Sequence, residues 1–567
     1  MSLDDEKGEG PDDEAAEDFS LGHGITAEAV YREGTGIRQA VIDRGMLMAE
    51  LTIPSVFPPV GYEVGQDLPG NNQSLAAAGV NSLAAALLLI AFPPPPLTGF
   101  RWKVLEYKMA DEIKQDPEYY TTVQLGLSRL AIEQRDILRG TPVEAAYVGY
   151  CKALIVIGNA LWKHVTLHEP TYWLPDCYTV KRTSGGFPLR TIHEENVTFD
   201  TLSEKHKEQI REIMPEADCK KSDGKPKADF EMTVTIYSVS KFKPHESGNL
   251  HEGSWCYWQE YKGQMLEGTQ VETDFQSPCM WPGWMIPVFG KDWGRSYCDE
   301  VYGDLYSLEA NSSALNDGAA AAALSLIFVK PGQTSLKSIK EARNLSTLPG
   351  NAEDVSMFRT EKTGDYQFVA AHLESIVRRV QTAFLMQASV QRSGERVTAE
   401  EIRRLGQDLD KALGGTYTYM AAGNQGVIVP RALSLASEAH EDLLSIPMDV
   451  VQLQVLTGVD SLGNSTEFDD LTEWATAGRA AYPVSFEKVT NPIDFLTRIA
   501  ATKAIKPSGL IRKKEEIEAE NKQQQDMAMQ QSLIDKGTGP AVKGIADSLM
   551  QQGQPQQGQE AAPPTLQ

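Results

Sequence analysis

The chain has 567 residues, 41% hydrophobic and 23% charged, with 53 basic against 78 acidic residues and a net charge of −25. These are globular proportions in a chain long enough for large buried cores, and the acidic balance argues against a surface coated for nucleic-acid binding while leaving room for nucleic acid passing close by. The six cysteines form no CxxC pair, which argues against a zinc ribbon or thioredoxin-like motif and suits reduced thiols in a cytoplasmic product.

In chain order, residues 1–24 read as a disordered acidic tail. Nine Asp and Glu against one Lys in the first twenty residues are the reverse of the basic start of a signal peptide. A helix is expected over about 26–52, broken by 53-IPSVFPP-59, and another over 75-LAAAGVNSLAAALLLIAF-92, which the prolines 93–96 end. With Asn81, Ser82 and much alanine, the second falls short of the roughly 20 strongly apolar residues a membrane span needs. It reads as a buried or subunit-interface helix. Residues 115–165 are helical in pattern. The texture then turns to β: two runs in 170–190 flank 184-SGG-186, a hairpin signal, and 230-FEMTVTIYSVS-240 alternates as a half-buried strand does. Segments 254–261 and 284–289 continue the β character, so this region is expected to hold a mixed α/β domain with an antiparallel sheet.

From Gly294 the spacing of Tyr297, Val301, Leu305, Leu308 and Leu315 predicts a long helix, prolonged by the alanines 319–323. The pattern breaks over 328–364. It resumes in a helix from about Tyr366 to Met386, with Val369, Leu373, Ile376, Val380 and Phe384 as its stripe. A short loop follows, 391-QRSGER-396, in which two fixed positive charges bracket Ser393 and Gly394. Thr398 and Glu401 have the spacing of a capping box, in which each side chain accepts from the other residue's backbone amide, so the next helix starts at a defined place. Residues 416–510 are mixed, with helices expected near 430–444 and 466–481. Beyond Lys513 the composition is Gln-rich and low in complexity, as a largely disordered tail would be.

No phosphate-binding G-x-x-x-x-G-K-[ST] motif occurs; 224-GKP-226 has proline where the metal-binding hydroxyl belongs. There is no GxGxxG loop and no HExxH. His245, Glu246, His251 and Glu252 lie in a Gly/Ser-rich stretch that reads as a solvated loop. No cofactor, metal or catalytic residue is assigned.

Five segments together resemble a known family: 52-TIPSVFP-58, 81-NSLAAALLLIAFP-93, 294-GRSYCDEVYGDLYSLE-309, 389-SVQRSGERVTAEEI-402 and 508-SGLIRKKEE-516. In this order and spacing they are similar to the portal, or head-to-tail connector, of short-tailed (podovirus-type) bacteriophages. The resemblance runs with interruptions from about Leu51 to Glu520 and is weak over 416–500. It implies an α+β phage portal fold. A mixed α/β wing (25–294) combines N-terminal helices with the antiparallel β region. The stem consists of two helices (295–327 and 365–386) with an inserted clip (328–364) between them. A tunnel loop (387–397) follows, then a wing helix and a helical crown/barrel region (398–512) and the tail (513–567).

The resemblance also implies a function. Twelve copies would form a ring at the unique capsid vertex of the virion, made in the host cytoplasm. The ring would nucleate head assembly with the major capsid and scaffolding proteins. Double-stranded genome DNA would pass through it in packaging and ejection, read without sequence preference. It would dock the terminase first and the tail adaptor later, and would not be an enzyme. Under this reading Gln391, Arg392, Ser393, Gly394, Glu395 and Arg396 line the channel. An acidic wall repels the duplex within the Debye length, about 8 Å at physiological salt, while Arg392 and Arg396 offer phosphate contacts without base readout. Lys337, Lys340 and Arg343 would be the clip's docking cations. On the residues alone plainer readings stand beside these: solvated loop charges, Arg392 or Arg396 paired with a neighbour's Glu395 or Glu400, and ordinary surface lysines. A cytoplasmic α/β enzyme with a helical extension is the alternative; it predicts a convergent polar pocket within about 170–300.

Overall fold

The computed structural model describes residues 19–22, 24–59, 61–63, 65–93, 100–104, 117–215, 227–246, 252–323, 326–329, 355–358, 363–386, 408–409, 413, 420–438, 451–455 and 463–482, with single positions and a pair between 486 and 527. The chain divides into two compact units, Met1–Asp469 and Asp470–Gln567.

In the first unit, α1 (Ala27–Leu51) starts where sequence chemistry starts it. The Thr26 hydroxyl accepts from the Ala29 amide at 3.3 Å, satisfying a donor that helix geometry leaves free. A second free donor, the Ala27 amide, gives its hydrogen to Glu260 Oε2 at 2.8 Å, which ties the helix start to the sheet. Tyr31, Arg38, Ile42, Gly45, Met48 and Ala49 form its buried stripe. Helix α2 (Leu75–Ala91) buries Ala76, Val80, Leu83, Leu87 and Ile90; among the described residues no helix is long and apolar enough to cross a membrane. Helices α3 (Pro117–Arg139) and α4 (Val143–Ile157) follow, and Gly158 ends α4 at φ 87°. A Cβ there would sit 2.4 Å from the Arg295 carbonyl carbon, so both the left-handed backbone and the close approach call for glycine.

Strand β2 (Asn159–Lys163) leaves that glycine directly. It is the centre of a three-stranded antiparallel sheet with β3 (Thr171–Trp173) and β10 (Met280–Trp284) on its two sides. The larger sheet runs β4 (Tyr178–Arg182), β5 (Pro188–Thr198), β6 (Thr233–Lys243) and β7 (Ser254–Tyr261), all antiparallel, and β7 also pairs β8 (Gln264–Met265) and β9 (Val271–Asp274). The β4–β5 hairpin turns at the predicted Ser-Gly-Gly, closed by Gly186 N donating to Thr183 O. Helix α5 (Glu204–Ile213), inserted between β5 and β6, covers a satellite core of Phe199, Ile210, Val234 and Ile236. The expected strand at 284–289 is displaced: β10 stops at Trp284, Pro287 has no amide hydrogen to give, and Ile286 makes only an isolated bridge to Arg295.

The long helices are α6 (Tyr302–Ala323) and α7 (Thr363–Ala383), packed side by side. Between them in sequence, β11 (Leu326–Val329) and β12 (Val355–Phe358) pair as an antiparallel hairpin stem. A π-helical turn, Ala421–Gln425, leads into α8 (Gly426–Glu438). Strand β13 (Val451–Val455) returns to pair β1 (Phe100–Val104) over 347 to 355 residues of intervening sequence, a contact no local pattern announces. The main core joins α1, α2, α4, α6, α7 and α8 around Leu83, Leu87, Tyr147, Leu154, Ile376 and Phe384. Helix α9 spans Gly463–Ala481, and in the second unit the Trp474 and Phe486 rings lie 5.1 Å apart.

Candidate functional site

The residues expected to line a channel, Gln391, Arg392, Ser393, Gly394, Glu395 and Arg396, lie outside the described residues, as do the cap pair Thr398 and Glu401 and the cations Lys337, Lys340 and Arg343. What is described is the frame on either side of the 387–407 segment.

On its N-terminal side α7 is held to α6 by charge and to the core by shape. Arg379 reaches both carboxylate oxygens of Asp304, Nη2 at 2.8 Å and Nε at 3.2 Å. Leu305 and Leu308 of α6 and Ile376 and Val380 of α7 are all buried in the main core. The last turn is fixed more tightly. The Phe384 ring is fully buried against Gly79 of α2, where an added Cβ would come within 2.7 Å of the ring. Tyr297 meets the same ring edge-on at 5.7 Å and donates its hydroxyl hydrogen to the Ala383 carbonyl at 2.9 Å. That carbonyl is one of those left free at a helix end, so Tyr297 caps α7 from a distant part of the chain. Leu385 then turns at φ 55°, a left-handed conformation in which a leucine is strained. Leu385 and Met386 still pack against the core, so the last described turn of this segment is held in place.

On the other side Leu409 and Leu413 are buried in the same core as Phe384, and Met420 joins them. The described residues on both sides of the intervening segment are thus rooted in one apolar cluster.

The 294–309 block sets this frame. Gly294 N donates to Asn159 Oδ1 at 2.8 Å, and Asn159 Nδ2 returns a bond to Gly294 O at 2.9 Å. Ser296 and Asp299 form a capping box on the one-turn helix Tyr297–Glu300. Arg44 of α1 pairs with Asp299 at 2.6 Å while its guanidinium lies over the Tyr302 ring. Glu309 Oε1 accepts from the backbone amide and side chain of Asn72 at 2.9 and 2.8 Å. The sequence placed Tyr297 on the stripe of one long helix, whereas it lies on a separate one-turn helix before Tyr302, and it gave no role to Asp299, Asp304 or Glu309. Their partners lie up to 255 residues away, beyond any periodic signal.

No group of three or more His, Cys, Asp and Glu among the described residues could hold a metal ion. Two deeply buried guanidinium groups serve architecture. Arg182 donates to the carbonyls of Asp292, Gly186 and Pro282, and Arg431 to those of His164 and Val165. Burial pushes the Cys151 thiol up to about 12 and the Cys298 thiol higher still, which keeps both protonated and unreactive.

A family model described as bacteriophage head to tail connecting protein matches residues 65–459. The portal protein of Escherichia phage T7 is 28% identical over 531 residues, covering 92% of this chain and 94% of that protein. That of Enterobacteria phage T3 is 28% identical over 501 residues, covering 87% and 89%. The portal protein of Enterobacteria phage SP6 is 25% identical, covering 91% and 95%. Among solved structures, the neck of an empty gene transfer agent particle aligns with 76% of this chain and 90% of that chain, at 12% identity and a TM-score of 0.34. The family model takes in the three-stranded sheet, the β-rich region, both long helices and the rooted segment between α7 and α8, and the chain belongs to the bacteriophage head to tail connecting protein family.

Proposed function

We propose that copies of this chain form the portal ring at one vertex of a phage capsid, the channel through which genome DNA is packaged and later ejected. The observation that carries the reading is the family match over 65–459, joined to portal relatives that align along nearly their whole length. A ring of one repeated subunit uses heterologous contacts that must close, and twelve copies is the count proposed here. In that assembly α6 and α7 serve as the stem, 328–364 as the clip and 387–397 as the tunnel loop.

The rooted ends of 387–407 suit a loop that has to yield to a passing duplex without unseating its subunit. Arg392 and Arg396 then make transient phosphate contacts within a channel of net-acidic subunits, binding without base readout. Lys337, Lys340 and Arg343 dock the terminase during packaging and the tail adaptor afterwards. The chain itself is not the motor and takes no cofactor; its place is the virion.

Electron imaging of the purified protein, with a native mass on the same sample, tests the reading. Rings with a central hole, at an integral multiple of 62.3 kDa near twelve, are expected. A monomer or dimer with no hole, in the presence of scaffolding protein as well as alone, would overturn it.

A further inference from the structure

A groove of about 280 Å³ lies between α1 and the β4–β5 edge of the large sheet. None of its lining residues belongs to α6 or α7. Val30, Ile192 and Trp293 line it, and Ile37, 67% exposed, stands among its lining residues. Gly34 of α1 lies so close to β4 that a Cβ would meet the Thr179 methyl at 2.8 Å.

The charges beside the groove are arranged by register. Lys181 of β4 is directly opposite Arg190 of β5, and Arg190 is directly opposite Lys241 of β6. Directly paired residues share a sheet face, so three cations stand in one row, and like charges so placed repel. Lys181 is partly neutralised by Asp292 at 3.2 Å. Lys241 donates to the backbone carbonyl of Ser20 at 2.8 Å, a partner with no charge to give. Arg190 is half-buried, and no side chain or carbonyl among the described residues lies within hydrogen-bonding or ion-pair distance of its guanidinium. Glu33 acts on it only through space, against the effect of burial, which lowers its pKa. Five donors, half withdrawn from water and with no acceptor among the described residues, form a site that an incoming carboxylate would stabilise.

The chain itself brings a supply of carboxylates to this row. Its described part begins at Phe19, whose ring meets Trp258 edge-on at 6.2 Å on the same sheet face, and Ser20 is the residue Lys241 holds. Residues 1–18, immediately upstream, contain Asp4, Asp5, Glu6, Glu9, Asp12, Asp13, Glu14, Glu17 and Asp18 against the single Lys7. From Lys241 to Lys181 is two strand spacings, about 10 Å. Eighteen residues reach up to about 60 Å, so length does not limit access. We infer that the acidic segment 1–18 docks along the Lys241–Arg190–Lys181 row of its own subunit, setting carboxylates on Arg190 and Lys181 and covering the groove beside Ile37.

The test is zero-length carbodiimide cross-linking of the full chain, which joins a carboxylate only to an amine in direct contact, followed by peptide mass spectrometry. The sample is assembled from a mixture of isotopically labelled and unlabelled chains. The expected product links a residue of 1–18 to Lys181 within one isotopic label, and Arg190→Gln should lower its yield at least threefold. Links to Lys241 alone would reflect only the Ser20 contact and would count against the proposal. So would links spread evenly over surface lysines, or no link at all. Mixed-label links to Lys181 would give the groove to a second copy's arm and overturn the assignment to the same subunit.

Discussion

Acid should loosen this protein well before its carboxylates titrate, because two histidines are locked neutral inside the first unit. His193 is fully buried; both its ring nitrogens lack a hydrogen-bond partner, and its ring lies 4.4 Å from that of Trp173. Burial holds its pKa down at about 2, and the Lys163 ammonium acts in the same direction. Glu195 Oε2 lies 3.9 Å from Nδ1, but Lys163 holds that oxygen at 2.7 Å and cancels most of its pull. His164 is also fully buried. Burial lowers it to about 4, opposed by the Leu167 carbonyl and assisted by Arg431.

Both folded-state values lie below the unfolded value of about 6.5. Above that value neither state binds the proton. As pH falls below it, the unfolded chain takes up protons that the native state refuses, so stability declines. Each histidine contributes about 1.36 kcal/mol per pH unit. Between pH 7.5 and 5 the pair should therefore lower stability by about 4 kcal/mol, a large part of a typical 5–15 kcal/mol.

Urea unfolding followed by tryptophan fluorescence measures this. The rings of Trp162 and Trp173 lie 6.0 and 4.4 Å from those of His164 and His193 and report the relevant region. The double variant His164→Gln, His193→Phe should be less stable at neutral pH but should lose about 4 kcal/mol less between pH 7.5 and 5. An unchanged pH dependence in that variant would refute the reasoning, since every other titrating group is shared.

Three further outcomes are expected. Gly79→Ala drives a methyl into the Phe384 ring, which is fully buried; overpacking should cost about 1–3 kcal/mol and raise protease cleavage within 387–407, whereas unchanged cleavage would show that this contact does not anchor the loop. Replacing Arg392 and Arg396 together by Ala should leave assembly intact and impair packaging or retention of DNA; normally filled heads would remove the loop from the channel. Charge reversal at Lys337, Lys340 and Arg343 should weaken terminase or adaptor docking in a pull-down while leaving thermal unfolding unchanged, and unaltered docking would move that interface elsewhere.

Some of this molecule is set by short-range chemistry and was legible in the sequence. The helix over about 26–52, the proline block after α2, the Ser-Gly-Gly turn and the β-branched alternation before Lys243 were each signalled by residues close together in sequence. The stripe of α7 and the Leu305–Leu308 part of that of α6 were legible from apolar spacing, as was the family through its 294–309 and 389–402 blocks; the single helix expected over 295–327 is instead broken at Val301, and strand β11 begins at Leu326. Tertiary structure alone decided the rest. Tyr297 caps α7 from 86 residues away, Gly79 makes room for Phe384, and Arg44 meets Asp299 across 255 residues. The Lys181–Arg190–Lys241 row exists only once three strands take their register. Periodicity records which face of an element is apolar; it carries no information about which distant face will cover it, and the anchors of the loop and the lining of the groove are made of those long-range pairings.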